Sequence, residues 1–365
     1  MPENESTKTI EPLMLTGNIF VYYAYDVGDD INLSKVEALP EILTRPLHLS
    51  KYFKGYHVPL SIDLPHPHSS SKCLSTKLHN FGVISLAYKI PFSSNFEELR
   101  KTLNDVDTEF REQSVEDAQS VYKKIKLHIK QSRFFHLRSS YVVIQVDQQP
   151  QNITVSQMTK EYGGFIASLV RFETESLSEY QKNAILDAAI GYYRGDLIVI
   201  DMDSAFVYDD EYEELLDLFE FANIQQLELQ YYDRILDQQL NAVYQREVKG
   251  LPFKAYLPFI GTLMKDPVSD LGMLKVEISS IIERLESTIK AVGEVYVTET
   301  YNLLVEKLDL KSWKVSISTK LDIIKDIHLV YQNKIDIIRE DLLSVLVILL
   351  IFIELVVGIF SYFKR

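Results

Sequence analysis

A single cysteine, Cys73, among 365 residues leaves no possibility of an internal disulfide, so the fold must hold by packing, in a reducing compartment. Glycine and proline are sparse at 13 and 12 residues, which excludes a collagen-like or low-complexity chain. Positive charge is in deficit. Lys and Arg total 38 against 52 Asp and Glu, and the formal charge of -14 gives a field that repels nucleic acid, so any such contact has to come from a local patch. The opening MPENESTKTIEP lacks the basic stretch and apolar core of a secretory signal. A Gly-rich phosphate loop, a nucleophile elbow and a paired-histidine zinc helix are all missing from the sequence. With 46% hydrophobic and 25% charged residues, the chain has enough material for one large or two ordinary domains with real cores.

One long apolar run is present. Leu342 to Phe360 reads LLSVLVILLIFIELVVGIF, with Glu354 as the lone charge and Ser344 as the other polar side chain. At about 1.5 Å rise per residue it spans roughly 28 Å, close to the thickness of a hydrocarbon core. Aromatic rings and two cations, Tyr362, Phe363, Lys364 and Arg365, follow where an interface would be. The expectation is a single C-terminal anchor over residues 342–363, with a lipid bilayer as partner and the head held in the cytoplasm, or in the matrix if organellar.

After a flexible stretch at 1–14, the β-branched and aromatic runs Ile19–Tyr25, Phe81–Ile90, Tyr141–Asp147 and Leu197–Asp201 read as strands. Helical spacing fills the ground between them. Phe96, Leu99, Leu103, Val106 and Phe110 mark a helix from Phe96 to Leu127, and another runs from Met158 to Phe172. The pattern predicts an α+β or α/β head over 15–208. Beyond it, Leu215, Leu218, Ala222, Gln225, Leu229, Tyr232, Leu236, Gln239 and Val243 step by threes and fours along a long helix at 209–249. A Pro- and Gly-containing connection at 250–270 leads into a helical hairpin at 271–341, with the chain turning back around Leu308–Ser316. Leu321, Ile324, His328, Tyr331, Ile335 and Ile338 carry one heptad register into the apolar span. Residues 210–340 are therefore expected to form an antiparallel helical coiled-coil stalk, closed on itself or paired with a second copy.

Within the span, Ser344, Val347, Ile351, Glu354 and Gly358 share a helical face that collects the small and polar residues, a face suited to close approach of a second helix and so to homo-oligomers. Asp201 and Asp203 form an Asp-x-Asp after an apolar strand. That placement suits either a strand end and helix cap or, as the alternative, the metal-dependent nucleophile loop of a membrane-attached hydrolase or phosphotransferase. His57, His66, His68 and Cys73 could be imagined around zinc, but the alternating prolines of PHPHSSSK favour an exposed loop, so no metal and no cofactor is expected. Lys123, Lys124, Lys126, Lys130 and Arg133, near Phe134 and Phe135, form a basic cluster that suits a solvated helix face or an anionic surface of lipid or RNA.

Three segments bear a family likeness: IVIDMDSAFVYDDEYEELLDLF at Ile198–Phe219, RILDQQLN at Arg234–Asn241, and DLLSVLVILLIFIE at Asp341–Glu354. In its C-terminal part the chain resembles the required-for-meiotic-nuclear-division family, a domain-of-unknown-function family of bacteria and mitochondria. The resemblance implies a membrane-anchored, oligomeric scaffold with no established catalytic site. From residues and resemblance together, the expected function is that of a non-catalytic oligomeric scaffold or tether.

Overall fold

The computed structural model describes residues 13–42, 44, 60–62, 72–134, 138–148, 154–191, 195–249, 275, 276, 278, 279, 283 and 295–363. The longest β-branched and aromatic run becomes the central strand β1, Leu15–Asp26, which pairs antiparallel with β5, Val83–Ser94, on one side and β7, Arg138–Val146, on the other. β3, Leu60–Ile62, and β4, Ser75–His79, extend the β5 edge antiparallel. On the far side β9, Ser204–Tyr208, lies parallel to β7, and β8, Leu197–Ile200, is the outer strand, giving the seven-stranded order β3-β4-β5-β1-β7-β9-β8. A ribbon of β2, Asp30–Ile31, and β6, Ile129–Lys130, stands beside it. The head is thus a mixed α/β structure around an almost wholly antiparallel sheet. Its one parallel pair requires a crossover, and α3, Val155–Val170, and α4, Glu179–Leu186, supply it.

Helix α2, Phe96–Ile125, begins where Asn95 and Glu98 cap each other's backbone N–H groups, with Glu97 and Glu98 in the first turn and Lys123 and Lys124 in the last. These placements satisfy orphan amides and complement the helix dipole. Its apolar stripe Leu99, Leu103, Val106 and Phe110 joins Val21, Tyr23, Tyr25, Leu86, Tyr88 and Ile144 from the sheet, and Ile166 and Val170 from α3, in one buried core. The opposite face of the sheet meets α5, Glu213–Lys249, whose Phe219 stacks on Tyr141 and whose preceding residue Tyr212 leans on Phe20. A short α1, Leu33–Glu37, packs by the 3-10 turn Lys126–His128.

The sheet and both helical layers make one compact unit, Met1–Gln230 with Arg284–Lys311. It takes in the first half of α5 and also α6, Val295–Lys307, besides the stretch assigned to the head from sequence. α6 lies on α5 through Tyr301, whose hydroxyl donates to Gln225 Oε1 at 2.8 Å. This explains why residues 218–225 of α5 are buried all round: one side faces the sheet and the other faces α6. The long-helix stripe read from sequence contains Gln225 and misses the sheet-facing Glu220 and Asn223.

The second unit, Tyr231–Glu283 with Ser312–Arg365, is helical. α7 runs from Leu310 to Phe363, so the reversal expected over Leu308–Ser316 is confined to Leu308 and Asp309, the latter in the left-handed region at φ 53° that aspartate tolerates. Within this unit Lys320 donates to Asp233 Oδ1 at 2.7 Å and also pairs with Asp237, while Ser316 donates to Asp233 Oδ1 at 2.7 Å, joining α7 to the second half of α5. The lateral contact described is local. Leu321 and Ile324 of the expected seam are buried and Ile338 is half-buried, whereas the side chains of His328, Tyr331 and Ile335 lie outside the described residues. A helical C-terminal region is what the structure shows, and the described residues, which include an ion pair of Lys275 with Asp322 at 3.9 Å, do not extend to the pairing of a full coiled-coil stalk. The 250–270 connection, nearly all of 271–294, and the histidines 57, 66 and 68 also lie outside the described residues. Asp336–Ser361 of α7 is long and apolar enough to cross a membrane, and its most apolar 18-residue stretch has no buried residue.

Candidate functional site

The face of the sheet under α5 is unusually polar. Strand alternation sends Tyr22 of β1, Ser85 of β5, and Lys77 and His79 of β4 to that side, in register with one another: Lys77 is opposite Ser85, and His79 opposite Val83. α5 answers with Asp217 and Glu220, one turn apart. Lys77 Nζ donates to Asp217 Oδ1 and Glu220 Oε2, each at 2.5 Å, and Ser85 Oγ donates to Glu220 Oε1 at 2.5 Å. Both oxygens of Glu220 are thereby used, and the flanking carboxylates raise the Lys77 ammonium above its ordinary pKa in spite of burial. Burial and the Glu220 charge push the Tyr22 phenol up. His79 is enclosed beside Phe81, with ring centroids 5.2 Å apart, and neither ring nitrogen has a hydrogen-bond partner. Burial lowers its pKa to about 4, so the ring is a neutral imidazole at physiological pH.

A second buried charge cluster lies at the end of β1. Gly82, at φ 98°, lets the two loops touch, since a Cβ there would sit 1.7 Å from the Gly28 carbonyl oxygen. That contact fixes the turn after Asp26, where Gly28 N–H donates to Asp26 Oδ1 at 3.0 Å. Arg133 reaches in to bridge Asp26 at 3.4 Å and Asp29 at 2.5 Å. Asp26 also feels Glu228 of α5. Burial first, and then the Asp26 charge, hold the Glu228 carboxyl well above its ordinary range, and its Oε1 has no hydrogen-bond partner. Burial raises Asp26 to about 6 although Arg133 opposes the rise. Two carboxyls therefore compete for one guanidinium, and one of them is best accommodated with a proton.

Both clusters lie between α5 and the sheet. The Lys77 ion pairs and the Ser85 hydrogen bond tie α5 to the strands beneath it, an arrangement that fixes the register of α5 on the sheet.

The residues singled out from sequence fall elsewhere. Asp201 and Asp203 flank the tight turn between β8 and β9, where Asp201 N–H donates to the Ser204 carbonyl at 2.8 Å and Tyr141 Oη donates to the Asp201 carbonyl at 3.0 Å. The Asp201 carboxylate is ion-paired with Arg171, and Asp203 is held above its ordinary pKa by partial burial and by the neighbouring Asp201 charge. An arginine, where metal-dependent phosphoryl chemistry would need a lysine or a further carboxylate, is what the fold brings to this pair. Among the described residues no set of three His, Cys, Asp or Glu side chains is placed to hold a metal ion. β9 follows the turn, so the helix cap forms later. Asp209 accepts from the Glu211 N–H at 2.9 Å, and α5 begins only at Glu213.

The basic cluster divides. Lys123, Lys124 and Lys126 are exposed at the end of α2, Lys130 is exposed on β6 opposite Asp30, and Arg133 turns inward to its aspartates. Phe134 stacks on Tyr25 and packs against Tyr122, while Phe135 lies outside the described residues. Ser344, Val347, Ile351, Glu354 and Gly358 are exposed along α7, and a Cβ added at Gly358 would meet nothing within 4 Å. The Lys77 and Asp26 clusters escaped the sequence reading because β4, STKLH, has Leu78 as its one apolar residue and faces a polar helix surface. The signal that could have found it is the i, i+3 pair of acids, Asp217 and Glu220, flanking the apolar Leu218 and Phe219.

Apart from Leu15, the sheet and the helices on its α2 side fall within a region that matches a described family. The family called uncharacterized protein MJ0711, N-terminal domain, matches residues 16–214, more than half of the chain, and the protein belongs to it. No curated protein and no solved structure matches the chain. The match corrects the resemblance drawn from the C-terminal segments, because it lies in the head and names a different family from the meiotic-nuclear-division proteins. An acidic helix start, an amphipathic helix and an apolar span are solutions that unrelated chains reach for the same physical reasons, so they did not discriminate.

Proposed function

We propose that the protein is a membrane-attached, non-catalytic scaffold or tether, held by the Asp336–Ser361 part of α7 and presenting the mixed α/β head as its working surface. The observation that supports this reading is a contrast along one helix. Leu310, Ile317, Leu321 and Ile324 are buried, whereas Val345 to Phe360 expose their apolar side chains throughout, Val356 only in part. A bare apolar helix of this length is costly in water at about 25 cal/mol per Å², and a bilayer removes that cost. In this reading the head works in a reducing compartment, cytoplasm or organellar matrix, consistent with Cys73 as sole cysteine. The face of Ser344, Val347, Ile351, Glu354 and Gly358 joins copies into a homo-oligomer within the membrane.

Membrane fractionation tests the attachment. The full chain should resist extraction by high salt and alkaline carbonate, and a chain lacking Leu342 to Arg365 should move to the soluble fraction. Retention of that truncated chain on membranes at high salt would overturn the reading.

A further inference from the structure

We propose that the end of α2 and the 3-10 turn after it form a docking surface for an anionic lipid bilayer. Lys123, Lys124 and Lys126 are exposed and make no ion pair among the described residues, in a chain whose net charge is -14. Lys35 of α1 adds a fourth exposed cation, since α1 packs by this turn and Asn32 N–H donates to the His128 carbonyl at 2.9 Å. Between these cations stands Leu127, 87% exposed and the most exposed large apolar side chain among the described residues. Asp30 and Glu37 are exposed nearby, and among the described residues neither is ion-paired to these four lysines.

Two physical requirements of an interfacial contact are met together. Lysines supply attraction to acidic headgroups, and an unpacked aliphatic side chain supplies area to insert below them. A nucleic-acid reading would call for aromatic rings to stack on bases, and Phe134 is already occupied by Tyr25 and Tyr122. The partner the chemistry fits is therefore an anionic phospholipid surface. The repulsion of the acidic remainder of the protein would restrict docking to this end of the head.

This inference rests on the membrane attachment proposed above, and the two can fail separately. Cys73 is buried, with burial pushing its thiol up to about 12, so a cysteine placed by Leu127→Cys in the full-length protein can be labelled selectively with an environment-sensitive fluorophore. In vesicles containing phosphatidylserine the label should be quenched by spin-labelled lipid. That quenching should vanish at high salt and stay unchanged on adding inorganic phosphate. Adding Lys123→Glu, Lys124→Glu and Lys126→Glu should weaken the docking equilibrium roughly a hundredfold or more. In the unlabelled wild type, amide exchange over residues 123–130 should slow on the same vesicles and not on phosphatidylcholine vesicles. Equal quenching in neutral vesicles, displacement by phosphate, or shielding of the label by RNA without vesicles would each overturn the proposal. If the protein floats with vesicles at every salt concentration while the label stays unquenched, docking falls and the anchor stands.

Discussion

Lys77 Nζ lies 2.5 Å from Glu220 Oε2, joining β4 near one edge of the sheet to the first half of α5, 143 residues later in the chain. A buried ammonium shared by two carboxylates is a weak source of net stability but an expensive one to break. Lys77→Met should therefore destabilise the head by about 3 to 5 kcal/mol, because Asp217 and Glu220 would be left without their counter-charge under α5. The double variant Lys77→Met, Glu220→Gln should recover part of that loss. Chemical denaturation of the four corners of this cycle measures the coupling, and simple additivity would mean the pair does not act as a unit.

The Asp26 and Glu228 carboxyls make a pH-dependent contribution whose sign is fixed. Both are raised in the folded state, Asp26 to about 6 and Glu228 well above its ordinary value, from unfolded values near 4. The Asp26 contribution is fully present below about pH 4 and is lost as the pH rises through about 6, and that of Glu228 is lost in the same direction. Glu228→Gln removes one proton-demanding group and leaves Asp26 to Arg133. The variant should gain stability over the wild type at pH 8 and lose that advantage near pH 4. His79 runs the other way. Its folded value of about 4 lies below the unfolded 6.5, so its contribution is present above about pH 6.5 and lost as the pH falls through 4. Comparing Glu228→Gln with wild type across a pH series of thermal melts checks the first assignment, and a parallel offset at every pH would contradict it.

Strands β1, β5, β7 and β8, and helices α2 and α3, were legible because each carries an uninterrupted apolar or periodic run: IFVYYAY in β1, or Phe96, Leu99 and Leu103 in α2. β9 was not, since its five residues SAFVY follow directly on Asp-Met-Asp and precede Asp209, Asp210 and Glu211, so the acids on both sides resemble a helix start. β4 was missed because Lys77 and His79 point at a polar helix, and strand alternation looks like loop when the partner surface is itself charged. The candidate site shares this cause. Buried polar residues gain meaning only from partners distant in sequence, such as Glu220 for Lys77 or Glu228 for Asp26, and local pattern carries no record of those pairings. The apolar span was plain from composition alone, because membrane-spanning length is a local property.

Asp201 and Asp203 should behave as residues of a turn. Asp201→Asn loses the ion pair with Arg171, whose side chain is about 41% exposed, so its stability cost should be about 1 kcal/mol or less. Asp203→Asn relieves a carboxylate that burial and its neighbour both disfavour, and should be neutral or slightly stabilising. Magnesium or manganese at millimolar concentration should leave the melting temperature of the wild type unchanged, because a ligand that binds the native state raises it by mass action. A metal-dependent rise in the wild type that disappears in the Asp201→Asn, Asp203→Asn double variant would restore a metal site.

Glu354 tests the proposed association within the membrane. A charged side chain facing lipid at mid-depth costs about 2.5 to 3.5 kcal/mol on insertion scales, so in a bilayer Glu354 should face protein. It is exposed on α7 and shares its helical face with Ser344, Val347, Ile351 and Gly358, where the open space around Gly358 admits a second backbone. A polar side chain can hydrogen-bond across such an interface, and the small residues set its closeness. Glu354→Leu should leave the protein membrane-bound, since it makes the span more apolar, while removing the interhelical hydrogen bond. Gly358→Ile should keep Glu354 and separate the helices by steric bulk. Both variants should reduce the particle mass measured by light scattering in mild detergent, the isoleucine variant at least as strongly. An unchanged mass in both would place the oligomer contact elsewhere. A loss in Glu354→Leu alone would assign the association to the carboxyl and not to close packing.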